Sequence, residues 1–204
     1  MAKIPKAYQV VKAFEEEVAH WAGAKYGVSV SSCSNAIFLC LTYLGGFQEI
    51  TIPHRTYPSV AMSILHTGNM LSLSKKKWRG IYELEPTKII DSALRFRKGM
   101  YIPGTLYCLS FHYRKHLPIG RGGMILTDDY NAAKTLRELR FDGRTEGVPI
   151  KKDNPKFLGY NMYMEPSQAA RGLILFELTK NKNRPDLKVE EQGYPDLTKW
   201  ECLW

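Results

Sequence analysis

Hydrophobic positions along the chain switch repeatedly between helical and strand spacing. Between residues 6 and 22, five apolar side chains recur at helical spacing: Val10, Val11, Phe14, Val18 and Trp21. Gly23 is suited to end this helix. The following segments, 27–31, 33–46 and 49–53, predict a short strand, a buried helix and a second strand. The chain therefore begins as an alternating α/β sequence.

The same alternation continues to about residue 180. Short apolar runs predict strands at "MLSL", at "KII" before Asp91, at "LYCLS" and at "GMILTDD". Apolar spacing predicts helices at about 57–67, at "YNAAKTLRELR" and at "EPSQAARGLILFEL". Buried strands alternating with helices predict a three-layer α/β/α fold with a mostly parallel sheet covered on both faces.

A change in composition near residue 180 divides the chain. We expect residues 1–180 to form one domain, because the apolar periodicity is continuous to that point. Residues 181–204 are polar and lack periodicity, so we expect a tail. This tail is either loosely attached or docked through Trp200, Leu203 and Trp204.

Charge and cysteine content narrow the function classes only slightly. The net charge is +9, and the basic residues are spread along the chain apart from short clusters at 75–77 and 114–116. Such an excess attracts nucleic acids, nucleotides, phosphorylated cofactors and acidic membranes alike. The four cysteines form no CxxC pair, so we expect reduced thiols and no metal site. No apolar run approaches the roughly 18 residues of a membrane helix, and we expect a cytoplasmic protein.

A lysine, a carboxylate and a helix start are predicted to meet at one edge of the sheet. Predicted strands end at Asp91 and at Ser110, and Lys115 follows in the stretch "LSFHYRKHLPIGRGG" at 109–123. Ligands bind at the carboxyl ends of strands in open α/β sheets. The helix start "SSCSN" at 31–35 offers hydroxyls and free N–H groups to a phosphate. Each feature alone has an ordinary structural explanation, but together they suit pyridoxal phosphate.

The order of these segments and their residue sequences resemble those of the DegT/DnrJ/EryC1/StrS sugar aminotransferases, which are fold-type I pyridoxal phosphate enzymes. The resemblance covers about residues 10–180 and rests on five motifs in the same order: "FEEEVAHWAGAKYGVSVSSCSNAIFLCL", "IPHRTYPSVAMSILHTG", "IIDSALRF", "SFHYRKHLPIGRGGMILTDD" and "GYNMYMEPSQAARG". It implies that residues 1–180 form the transferase-like large domain of this family, with the C-terminal small domain absent.

The resemblance also implies a set of cofactor contacts. These are Lys115 at the Schiff base, Asp91 at the pyridine nitrogen, Tyr57 on the ring face, Cys33, Ser34 and Ser110 at the phosphate, and Asn161 at the phosphate of the partner subunit's cofactor. The implied assembly is a homodimer with shared active sites. The implied reaction transfers an amino group from an amino acid such as glutamate to a nucleotide-linked keto-sugar.

Several positions depart from the family pattern. Leu94 stands where glutamine or histidine usually lies near the cofactor's phenolic oxygen, Cys33 replaces a glycine, Arg121 replaces an acidic residue, and Met162-Tyr163 stands where Tyr-Arg is common. A hydrogen bond that tunes the ring is therefore expected to be lost at Leu94. Leu94 and the missing small domain leave an alternative, a homologue that binds the cofactor or regulates without turnover.

Two further alternatives come from local composition. The basic and aromatic segment "KKKWRG" at 75–80 is compatible with a surface that binds nucleic acid. His112 and His116 have the spacing of two metal ligands on a helix, but a third ligand and helix signals are missing. We expect His112 to be a polar residue beside the cofactor and His116 to lie in a loop.

Overall fold

The computed structural model describes residues 6–182 and 184–204. Its helices are α1 (Gln9–Ala22), α2 (Cys33–Leu44), α3 (Pro58–His66), α4 (Tyr130–Leu139) and α5 (Pro166–Thr179). Its strands are β1 (Tyr26–Val30), β2 (Glu49–Pro53), β3 (Met70–Ser74), β4 (Tyr82–Glu83), β5 (Ile89–Asp91), β6 (Leu106–Ser110) and β7 (Gly123–Thr127). The predicted helices and strands are all present. Strand β4 was not predicted, because two residues are too few for a periodic signal.

The central sheet is mixed. Its five strands lie in the order β1-β7-β6-β5-β4, and within it only the pair β5–β6 is parallel. Strands β2 and β3 form a separate parallel pair, which two backbone hydrogen bonds between Thr51 and Glu85 join to the end of β4. The α/β prediction is confirmed. The expected parallel pairing holds only for β2–β3 and β5–β6, since the β6–β7 connection contains no crossover helix and returns antiparallel.

The central sheet is covered on both faces, which gives the predicted three layers. Successive residues of β6 alternate between two apolar clusters. Leu106 and Cys108 pack with residues of α2, α3 and α4, whereas Tyr107 and Leu109 pack with residues of α1 and α5. This alternation follows from the two-residue period of a strand. In the part of the chain that the structure describes, no helix is long and apolar enough to cross a bilayer.

The C-terminal segment returns to the domain and packs on the α2 and α3 side. Leu197 and Leu203 are buried in that apolar cluster, and Trp200 is half-buried against it. Trp204 is 70% exposed. Arg95 and Asp186 add a two-pronged ion pair, with the closer contact at 2.7 Å. Two leucines and Trp200 therefore hold the tail, and Trp204 does not.

Replacing Leu203 with alanine is expected to lower the free energy of unfolding by about 2 kcal/mol, because it removes a buried side chain near a chain end that can partly collapse. Urea denaturation measures this change. The exposed Trp204 provides the control, and Trp204→Ala is expected to stay within about 0.5 kcal/mol of wild type. Equal losses in the two variants would contradict the observed docking.

Candidate active site

A cavity of about 840 Å³ lies where β5 and β6 end and α2 begins. Six of the seven predicted site residues line it: Cys33, Ser34, Tyr57, Asp91, Ser110 and Lys115. They come from five separate segments, and the sheet topology brings these together at the carboxyl ends of β5 and β6. The predicted convergence of a lysine, a carboxylate and a helix start is therefore present in the structure.

Lys115 lies in the loop after β6, where its backbone N–H donates to the His112 carbonyl. Its Nζ atom donates to Gln192 Oε1 at 3.0 Å and to Tyr194 OH at 3.2 Å. Burial lowers the pKa of Lys115 below its usual value, against the opposing attraction of Asp91. The lowered pKa favours the neutral amine, which is the nucleophilic form.

Asp91 ends β5 and is only 3% exposed. Its carboxylate accepts hydrogen bonds from the Ala93 backbone and from Tyr82 OH, both at 2.9 Å. Tyr82 OH also pairs with Thr56 Oγ1 at 2.7 Å, so the carboxylate is held from two sides. Burial raises the pKa of Asp91 although both donors and Lys115 oppose the shift. Since each carboxylate oxygen has two lone pairs, acceptor capacity remains for a cationic N–H in the cavity.

The start of α2 forms the anion-attracting end of the cavity. Ser32 caps the helix by accepting from the Asn35 backbone at 3.1 Å, and Ser34 Oγ pairs with Ser59 Oγ at 2.5 Å. Free N–H groups and the helix dipole favour a phosphate here. Burial and the nearby Asp91 charge raise the pKa of the Cys33 thiol well above its usual value, so the thiol stays neutral and does not repel an anion.

Aromatic side chains from α3, the β3–β4 connection and the tail lie around the cavity. Tyr57, just before α3, is 55% exposed, and its ring forms a T-shaped pair with that of Tyr194, with centroids 6.3 Å apart. Trp78 stacks on Tyr194, with centroids 6.2 Å apart and an interplanar angle of 12°. Tyr57 therefore lines the cavity with about half of its surface exposed.

Asn161 and Leu94 lie outside the cavity lining. Asn161 lines a smaller cavity of about 210 Å³ beside Arg121, and its amide donates to Asp142 Oδ2 at 3.4 Å. Its predicted contact with a partner subunit's cofactor remains a prediction. Leu94 is fully buried in the protein, and its aliphatic side chain offers no hydrogen bond.

Trp78 and His116, one residue from each of the two local alternatives, take part in packing, whereas His112 is exposed and lines the cavity. Trp78 donates its ring N–H to the Arg55 carbonyl at 2.9 Å, stacks on Tyr194 and packs against Tyr82, so its ring is engaged within this chain. His116 is buried in its loop with Nε2 2.9 Å from the Pro185 carbonyl oxygen. Among residues 6–182 and 184–204, no group of three His, Cys, Asp or Glu side chains is arranged to hold a metal ion.

Three residues that contact Asp91 or Lys115 were not predicted from the sequence. Tyr82 lies on the short strand β4, and Gln192 and Tyr194 lie in a tail without periodicity. A weak signal exists in the tail segment "QGYPDL", where a glycine, an aromatic and a proline interrupt a charged stretch. That composition predicts a turn, but it does not predict which side chain the turn approaches.

Comparisons with known proteins identify a sequence relative and proteins of similar fold. The spore coat polysaccharide biosynthesis protein SpsC of Bacillus subtilis (strain 168) is 28% identical over 85% of this chain. Two solved structures share the fold. AtS13 from Actinomadura melliaura has a TM-score of 0.71 at 18% identity over 88% of this chain. Helicobacter pylori PseC, an aminotransferase involved in the biosynthesis of pseudoaminic acid, has a TM-score of 0.67 at 15% identity over 83% of this chain.

The chain is shorter than these proteins. It spans 57% of SpsC, 66% of AtS13 and 58% of PseC. The model of the DegT/DnrJ/EryC1/StrS aminotransferase family matches residues 3–72 and 102–185, which is most of the chain and includes every predicted site residue except Asp91. This chain belongs to the DegT/DnrJ/EryC1/StrS aminotransferase family.

Proposed function

We propose that this protein is a pyridoxal phosphate-dependent aminotransferase that acts on a sugar. The observation that carries the proposal is the convergence of Lys115, Asp91 and the start of α2 in one cavity of about 840 Å³. Aminotransferases of this family depend on pyridoxal phosphate. The chain spans only 57% of the length of SpsC and 58% of that of PseC. The proposed activity therefore rests on the residues of this cavity and not on similarity to those proteins alone.

The residues present fit the cofactor. A partly buried amine suits covalent attachment, a buried carboxylate held by two donors suits a pyridinium N–H, and a helix N-terminus suits a phosphate. When bound, pyridoxal phosphate supplies the electron sink for the carbanion formed at the substrate's α-carbon.

The side chains divide the work as follows. Lys115 Nζ would hold the cofactor and, once displaced by the amino donor, would take the proton from the donor's α-carbon. Asp91, whose carboxylate is buried, would keep the pyridine nitrogen protonated. Tyr57 would pack on the ring face, and Ser34 and Ser110, which line the same cavity, would bind the phosphate beside the α2 N-terminus.

The assembly is proposed to be a homodimer with shared sites. Asn161 of the partner subunit would then reach the phosphate, which is consistent with its position outside the large cavity of its own chain. An Asn161→Ala chain mixed with a Lys115→Ala chain would report on this sharing, because complementation requires residues from both subunits in one site.

A nucleotide-linked keto-sugar is the proposed amino acceptor, and glutamate or a similar amino acid is the proposed donor. Two observations support an anionic substrate. Arg114 and Arg121 line the cavity, and neither side chain has an ion pair among the described residues. SpsC and PseC, which this chain resembles, are named for roles in polysaccharide and pseudoaminic acid biosynthesis.

The proposal is tested by loading the purified protein with pyridoxal phosphate, reducing with borohydride and locating the modified residue by peptide mass spectrometry. Attachment at Lys115 supports the cofactor site. Loss of the bound-cofactor absorbance after adding glutamate supports the amino-transfer half-reaction. A spectrum identical to that of free cofactor, with no trapped lysine, would contradict the proposal.

A cofactor-binding protein without turnover is the second candidate. Leu94 favours it, because the family usually has a hydrogen-bonding residue at this position, whereas the Leu94 side chain is apolar and buried outside the cavity lining. Trapping at Lys115 without a half-reaction for any amino acid would support this alternative over the enzyme.

Replacing Asp91 with asparagine is expected to leave cofactor attachment intact and to slow the half-reaction about a hundredfold or more, since a charge that stabilises the reacting state is removed. Stopped-flow absorbance after addition of glutamate measures the rate. Asp128 lies away from the cavity and accepts hydrogen bonds from Tyr101 and Gly104, so Asp128→Asn is the matched control. Equal rates in wild type and Asp91→Asn would remove Asp91 from the proposed mechanism.

A further inference from the structure

The C-terminal tail supplies one wall of the large cavity. Residues Gln192, Gly193, Tyr194 and Pro195 line it, and Gln192 and Tyr194 contact the Lys115 amine. These residues lie beyond the segments that match the family model, which end at residue 185. The match to the family therefore does not assign these contacts.

The tail is fixed on both sides of these contacts. Before them, Asp186 pairs with Arg95, and the Pro185 carbonyl oxygen lies 2.9 Å from His116 Nε2. After them, Leu197 is fully buried in the apolar cluster beside α2 and α3. These contacts fix the intervening turn, residues 192–195, beside the loop that carries Lys115.

Tyr194 is itself well fixed. Its ring is stacked on Trp78 and forms a T-shaped pair with Tyr57. Burial and the neighbouring Asp91 raise the pKa of Tyr194, so its hydroxyl keeps its proton and accepts from Lys115 as a neutral group. Gln192 Oε1 is likewise a neutral acceptor.

We infer that Gln192 and Tyr194 are positioning residues of the active site, which hold the Lys115 amine in the cavity until a carbonyl compound displaces them. The inference rests on the proposed function, because it assigns these residues to the lysine that would carry the cofactor. An amine attacks a carbonyl only as the neutral form with a free lone pair. Two acceptors on Nζ stabilise the protonated form, so they reduce the fraction of neutral amine that can attack the carbonyl.

Other charged and titratable groups also face Lys115. They are Asp91 from β5, Cys33 from α2, His112, Arg114 and His116 from its own loop, and Tyr194 from the tail. Conservative substitutions at 192 and 194 leave all of the others in place. A change in Lys115 behaviour in these variants then reports on the lost acceptors.

The test measures reductive methylation of Lys115 in the cofactor-free protein with formaldehyde and cyanoborohydride. In this reaction the amine adds to the aldehyde, water leaves, and hydride from the borohydride reduces the new C=N bond. Peptide mass spectrometry gives the rate at Lys115 from about pH 6 to about pH 11, a range that includes lowered and ordinary lysine pKa values. The variants are Tyr194→Phe and Gln192→Leu, and Tyr130→Phe on the exposed surface of α4 is the matched control.

Both variants are expected to react about threefold to tenfold faster than wild type at neutral pH, because hydrogen bonds to a charged group are lost. The midpoint of the pH profile should also move to lower pH. Simple opening of the cavity to water would move that midpoint upward, toward the ordinary lysine value, since burial is what lowers it. An unchanged or slower reaction, or an upward shift, would overturn the inference.

Failure of the inference and failure of the proposed function give different results. If wild type traps pyridoxal phosphate on Lys115 but the variants keep the wild-type methylation profile, only the role of Gln192 and Tyr194 is lost. If wild type does not trap the cofactor, the proposed function fails. A downward shift in the methylation profile would then describe the lysine environment alone.

Discussion

Replacing Lys115 with alanine is expected to abolish borohydride-stable attachment of pyridoxal phosphate and to reduce amino transfer by about 10³-fold or more, since one side chain serves as both nucleophile and base. Lys115 is the lysine among the cavity-lining residues. Burial also lowers the pKa of its amine, which favours the neutral form.

The experiment compares Lys115→Ala with Lys98→Ala under the same loading conditions. Lys98 is exposed and lies outside the cavity, so its loss removes one positive charge without changing the site. Mass spectrometry after reduction gives the site and extent of attachment, and product formation gives the rate. Attachment that persists in Lys115→Ala at another lysine would show that the cavity lysine is not the cofactor anchor.

Replacing Arg140 with methionine is expected to lower the free energy of unfolding by about 3 kcal/mol, because the buried carboxylate of Glu15 loses its closer guanidinium partner and keeps only Arg137 at 3.4 Å. The side chains of Arg140 and Glu15 are each only 3% exposed and form an ion pair. Arg140 also pairs with Glu146 at 2.6 Å and donates to the Ser29 backbone on β1. The network links α1, β1 and the segment after α4.

Two further variants show whether the loss comes from the unpaired charge. The double variant Glu15→Gln, Arg140→Met removes both charges and should recover part of the loss, as is usual when a buried pair is removed together. Lys12 and Glu16 form a pair whose side chains are 55% and 67% exposed, and Lys12→Ala is expected to cost about 1 kcal/mol or less. If Lys12→Ala costs as much as Arg140→Met, burial is not the cause.

The same network predicts how stability changes with acid. Burial alone would raise the pKa of Glu15, but the charges of Arg140 and Arg137 and the Ser29 N–H outweigh it and lower the pKa below its usual 4.5. A depressed carboxyl pKa stabilises the folded state above the unfolded-state value, and this contribution is lost as pH falls through the folded-state pKa. Wild type should therefore lose stability below pH 4.5 more steeply than Glu15→Gln, as measured by urea titration at each pH.

Most of the fold was predictable because periodic burial is a local property of sequence. The helices and strands of the first 180 residues, apart from β4, follow from apolar spacing, and strand ends marked Asp91 and Ser110. The placement of Lys115 beside them was predictable too, because strand ends meet at one edge of an α/β sheet. Strand direction was less predictable, since β7 pairs antiparallel to β6 after a connection without a helix.

Tertiary structure determined which side chains contact Asp91 and Lys115. Tyr82 reaches Asp91 because β4 pairs with β5, and a strand of two residues leaves no periodic trace in the sequence. Gln192 and Tyr194 reach Lys115 across more than 70 residues of chain, because Leu197 and Leu203 bury themselves beside α2 and α3. The sequence by itself determined the elements, the family and six residues of the cavity. Only the folded chain determined what holds the lysine, since contacts between distant segments depend on packing that no local pattern records.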